Sequence, residues 1–164
     1  MWCLVTLKII NKSNIRQSSV RKKTASRICA VQVLYEYSFC LNNIDYIIKY
    51  FFENYLNPIL LDLNIKKIDE DLFYSIIKGT NENNLKIDKI ITENLSEKWA
   101  LERLSKTEIA VFRLAVCELC FKQTFSKQTI INEYISIFEA FGGNTDFANG
   151  ILENISQNKY DMLL

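Results

Sequence analysis

Apolar side chains recur every three or four residues from Ile28 to Ile155, and only one proline and four glycines punctuate the whole chain. That combination constrains the fold more than any other feature. Strands joined by tight turns need frequent Gly, Pro or Asn-Gly punctuation and an alternating pattern, whereas a three-to-four repeat lines one face of a helix. The chain is therefore expected to be all-α, with about seven helices.

The first helix is predicted over residues 22–40, with Ile28, Val31, Leu34, Tyr35 and Phe39 on its apolar face. A second follows over 43–56 and a loop, "NPILLDLNIKK", leads away from it. Asp69, Glu70 and Asp71 open a third helix with the charge sign its dipole prefers. A fourth spans 84–95. Ser105-Lys106-Thr107-Glu108 has the spacing of a capping box, in which Ser and Glu side chains satisfy each other's orphan backbone donors. It opens "EIAVFRLAVCELCF", apolar on nearly every side and so expected at the centre of the fold. Arg113 and Glu118, embedded in that run, are expected to form a structural ion pair or hydrogen-bonded anchor. A sixth helix covers 128–141 and stops at Gly142-Gly143. In "TDFANGILENI", Asn149-Gly150 alone would suggest a hairpin, but Phe147, Ile151, Leu152 and Ile155 argue a seventh helix with Thr145 as N-cap. Close approach of a neighbouring helix would be a reason to keep Gly150 there.

With 164 residues, 49% hydrophobic, 24% charged and a net charge of +1, the chain has the profile of one globular domain. Histidine is absent, which removes His-based triads, general bases and metal ligands. Cys3, Cys29, Cys40, Cys117 and Cys120 are odd in number and irregular in spacing, as expected of reduced thiols. Cys117-x-x-Cys120 lies inside a helical pattern without a second pair, so it is read as buried structural thiols; no metal and no cofactor are expected. "MWCLVTLKII" is too short to span a bilayer and lacks a charged leader region, so no membrane role and a cytoplasmic location are expected. Residues 1–19 read as a flexible N-terminal extension ahead of a helical domain over 20–160.

Against this nearly neutral background one stretch stands out. Arg21, Lys22, Lys23 and Arg27 crowd the start of the first helix. A helix N-terminus carries about half a positive charge, and cations there cost roughly 0.3 to 1 kcal/mol each. A polyanion outside the chain would compensate for that placement.

Three blocks stand in a recognisable order. "ASRICAVQVLYEY" resembles the first helix of the NusB antitermination family, "WALERLSKTEIAVFRLAVCEL" its central block, and "IINEYISIFEAFGGNTDFANGILENI" its C-terminal signature. The resemblance implies two packed helical bundles and no catalysis. It also implies binding of boxA RNA together with the ribosomal protein NusE, within the complex that keeps RNA polymerase transcribing ribosomal RNA operons. By the same resemblance Lys22, Lys23 and Arg27 form an RNA-binding edge. Tyr35 is either core or RNA edge, and Phe147 either packs in the core or stacks on a base. Glu108 faces NusE, or serves only its capping box. Some members self-associate, so a homodimer is compatible with this reading. The alternatives are a helical protein-interaction adaptor that never touches RNA, and a stand-alone relative of the NusB-like domain of rRNA cytosine methyltransferases. The latter enzymes need a Rossmann-like catalytic domain for which this chain has no room.

Overall fold

The computed structural model describes residues 22–40, 42–96, 100–122, 125–158 and 160. The expected extension over 1–19, together with Cys3, Arg21 and Trp99, lies outside them. Among the described residues there are eight α-helices and no strand: α1 Lys22–Tyr37, α2 Ile44–Asn54, α3 Leu56–Asp62, α4 Glu70–Glu82, α5 Asn84–Asn94, α6 Lys106–Cys117, α7 Lys127–Ala140 and α8 Thr145–Gln157. A 3-10 turn at Leu101–Arg103 precedes α6, and a π-helical turn at Glu118–Lys122 prolongs it.

Side-chain caps start most of these helices. Asn43 accepts from the Tyr46 N–H and Asp69 from the Leu72 N–H. Ser105 and Glu108 complete the expected capping box, with Glu108 Oε2 accepting from the Ser105 N–H at 2.7 Å. Ser126 accepts from the Thr129 N–H, which gives α7 a defined start. The N-cap of α8 is Asn144, not Thr145: its side chain accepts from the Phe147 N–H at 3.0 Å. Each of these bonds satisfies a backbone donor that the first helical turn leaves without a partner.

Helix α3 occupies the stretch expected to be a loop. Pro58 is its third residue, where the N–H it lacks would have no intrahelical partner anyway. Ile59, 1% exposed, anchors the helix in the core. Asn64 then takes a left-handed φ of 52°, and the Asn64 and Ile65 amides donate to the Leu61 and Leu60 carbonyls. The same Schellman arrangement ends α7 as expected. Gly142 adopts φ 79°, its N–H bonding Glu139 and that of Gly143 bonding Phe138.

Helix α6 is central. Val111, Phe112, Leu114, Ala115, Val116 and Cys117 are buried, and α1, α4, α5, α7 and α8 all pack against it. Gly79 of α4 marks the closest approach: a Cβ there would meet Cys117 Sγ at 2.8 Å and Lys122 Cε at 2.7 Å. Gly150 is the opposite case. It is exposed, and a Cβ there would meet nothing within 4 Å. No neighbouring helix accounts for it, contrary to expectation. Gly150→Ala is therefore expected to stabilise the chain by about 0.5 to 1 kcal/mol, read as a raised melting temperature.

Cys29 and Cys117 are fully buried and Cys120 nearly so. Burial pushes the Cys29 thiol up to about 12 and the Cys117 thiol up to about 11, the behaviour of structural thiols. Among the described residues no group of His, Cys, Asp or Glu side chains is arranged to hold a metal ion, and no helix is long and apolar enough to cross a membrane.

Candidate nucleic-acid interface

The first turn of α1 contains no acidic residue. Lys22 and Lys23 are exposed there, as a polyanion-binding edge requires. Lys23 Nζ lies 4.3 Å from the centroid of the Phe125 ring, just ahead of the α7 N-cap Ser126. The starts of α1 and α7 therefore meet at one place on the surface. On the inner side, Ser26 is completely buried: its Oγ accepts from the Asp69 N–H and lies within bonding distance of the Asp69 and Lys22 carbonyls. This joins the start of α1 to the N-cap of α4.

Arg27 does not lie on the edge. It is 2% exposed, and this corrects the expectation that its guanidinium meets RNA. Its Nε and Nη2 donate to the two carboxylate oxygens of Glu118, at 2.9 and 2.5 Å, and Nη1 donates to Glu133 Oε2 at 3.1 Å. Tyr134, fully buried, donates its hydroxyl to Glu118 Oε2 at 3.0 Å. Burial disfavours the guanidinium charge, but the hydrogen bonds and charge of Glu118 outweigh it and the Arg27 pKa is raised. Burial and the Glu118 charge together push the Tyr134 hydroxyl well up. Both groups keep their protons, and the network is a fixed internal anchor.

Glu118 is thus the embedded anchor expected, but its partner is Arg27 rather than Arg113. Arg113 grips Asp88 of α5 in bidentate fashion, with Nε and Nη2 at 2.7 and 2.8 Å from the two oxygens, and both partners are partly exposed. The reason is geometric. Five residues apart on one helix, Arg113 and Glu118 point to different neighbours, α5 on one side and α1 with α7 on the other.

The aromatic candidates divide. Tyr35 is half-buried and makes an edge-to-face contact with Phe39, ring centroids 5.1 Å apart, and Phe39 is 63% exposed. Phe147 is half-buried in the first turn of α8 and packs edge-on against Phe112 at 6.0 Å. Phe112 in turn meets Phe138. Lys22 and Lys23 thus share the exposed first turn of α1 while Arg27 turns inward, and the ring contacts of Tyr35 and Phe147 lead elsewhere. Glu108 uses its carboxylate in the capping box at the start of α6.

Thr24, Phe125 and Glu133 were not singled out by sequence reasoning. Thr24 Oγ1 donates to Glu133 Oε2 at 2.6 Å, across 109 positions of sequence. Glu133 sits beside the buried Tyr134 in an amphipathic helix and reads in the sequence as a boundary charge, with no signal naming its partner.

A protein-family model described as the NusB family matches residues 24–157. The Transcription antitermination protein NusB of Caulobacter vibrioides is 31% identical over 144 residues, covering 87% of this chain and 97% of that protein. That of Clostridium novyi is 32% identical over 132 residues, covering 79% and 94%. The solved structure of T. maritima NusB superposes with a TM-score of 0.66 at 30% identity, covering 86% of this chain and 94% of that one. A crystal structure of antitermination factors NusB and NusE in complex with dsRNA shares the fold at 23% identity, with a TM-score of 0.65 and coverage of 82% and 95%. Because the family match runs from the first turn of α1 to the last residue of α8, this chain belongs to the NusB family.

Proposed function

We propose that this protein is a transcription antitermination factor, without catalytic activity, that binds boxA-type RNA of ribosomal RNA operons together with NusE. The observation that carries the reading is the exposed pair Lys22 and Lys23, presented at an uncompensated helix N-terminus in a chain of this family. In that role the lysines meet phosphate, and sequence is read elsewhere on the surface. Tyr35 and Phe147, each half-buried, keep enough ring surface to contribute stacking. Glu108 is read as facing NusE, its carboxylate serving the cap as well. The chain works in the cytoplasm as part of the complex around RNA polymerase.

The architecture that goes with this reading is a pair of helical bundles within an RNA-binding domain spanning 20–160. Packing of α1 with α2 and α4, and of α8 with α5 and α7, with α6 in contact with both groups, supports it.

Few phosphate contacts on a chain of net charge +1 imply weak binding alone. Isolated protein is expected to bind a short boxA-type RNA weakly, and addition of NusE to tighten binding markedly in a direct titration. Equal affinity with and without NusE would reject the joint mode. No RNA binding under either condition would favour the protein-only adaptor.

A further inference from the structure

We propose that Thr24 and Glu133 are positioning residues for RNA binding, acting through Lys22 and Lys23 without touching RNA themselves. The inference rests on the RNA-binding reading above and names how this chain builds its phosphate-binding edge.

A first helical turn has no i−4 bonds to its amides and frays readily. Here it carries both lysines, and no acidic residue in that turn offsets its dipole. Order must come from tertiary contacts. On one side Ser26 bonds the Asp69 backbone. On the other, Glu133 Oε2 accepts from both Thr24 Oγ1 and Arg27 Nη1. Arg27 is immobilised by Glu118, so Glu133 extends a rigid internal anchor outward to a residue adjacent to Lys23. Lys23 is then steered over Phe125, at the base of the same helix that carries Glu133. A preordered pair of cations meets phosphate without a further ordering cost.

The sign of one effect makes the idea testable. Glu133 keeps 26% of its side chain exposed and bonds Thr24, the residue that follows the two exposed lysines. By charge alone a carboxylate there repels phosphate, so deleting it should tighten RNA binding. Positioning demands the reverse. The experiment measures binding of a short single-stranded boxA-type RNA to the full chain across a salt series. Thr24→Val and Glu133→Ala are each expected to weaken binding roughly threefold to tenfold. Thr24→Ser and Glu133→Gln, which keep the donor and an acceptor, are expected to restore it. In a Lys22→Ala, Lys23→Ala background, Thr24→Val is expected to have no further effect, because the groups it positions are gone. A merely structural role would move the melting temperature and would not depend on the lysines. Tighter binding by Glu133→Ala, or an undiminished loss from Thr24→Val in the lysine-free background, overturns the proposal. Failure of the wild-type chain to bind RNA, alone and with NusE, overturns the underlying reading instead and is seen before any variant is made.

Discussion

Replacing Glu118 by alanine is expected to lower folding stability by about 3 to 5 kcal/mol. The substitution removes two of the three carboxylate oxygens that accept from a guanidinium that is 2% exposed, and strips the Tyr134 hydroxyl of its partner. Glu133 remains, but it offers Arg27 only one oxygen, already shared with Thr24. For a chain of this size the loss corresponds to a fall of roughly 6 to 20 °C in melting temperature. Arg27→Ala should behave alike, because it leaves the Glu118 carboxylate buried without its cation. Arg113→Ala should cost clearly less, since Arg113 and Asp88 are 33% and 26% exposed and water can replace either partner. Thermal melts of the three variants decide the matter: equal shifts for Glu118→Ala and Arg113→Ala would show that the buried network has no special weight.

Replacing Lys22 and Lys23 together by alanine is expected to weaken RNA binding and flatten its salt dependence while leaving the fold intact. Each lost phosphate contact lowers the slope of log affinity against log salt by about 0.7 for single-stranded RNA, so the double variant should lose about 1.4. Two opposing terms keep stability nearly level. Removing cations from a helix N-terminus relieves roughly 0.3 to 1 kcal/mol each. Losing the Lys23 ammonium above Phe125 gives back about 0.5 to 1 kcal/mol. Arg27 has no place in this variant, because its substitution would destabilise the fold and mimic a binding defect. Wild-type affinity and slope in the lysine double variant would mean that the RNA surface lies elsewhere.

The two expectations separate parts of one six-residue stretch. Lys22, Lys23 and Arg27 look alike in the sequence, three cations leading into an apolar helix. Fold stability rests on the third and the proposed RNA contact on the first two. Helical phase already hints at the division, since Arg27 falls between the buried Ser26 and Ile28. Phase alone cannot supply the carboxylates that make burial of a guanidinium tolerable.

What the sequence determined by itself is the helical class and the ends of most helices. The three-to-four spacing of apolar residues, the Ser105–Glu108 box and the glycines after α7 act within one or two turns, and local interactions of that kind are legible without a partner. The central place of α6 follows as well, because a helix apolar all round has to be surrounded. The family blocks brought the expectation of RNA binding. Tertiary structure decided the rest. Helix α3 exists because Ile59 finds a core to enter, although its seven residues would not hold a helix in isolation. Arg27 reaches Glu118 across 91 positions and Thr24 reaches Glu133 across 109, and no local rule encodes such pairings. A charge in the sequence carries only its sign. Whether it meets solvent, a nucleic acid or a buried counter-charge depends on which helix faces it, and that is settled only when α1, α6 and α7 pack together.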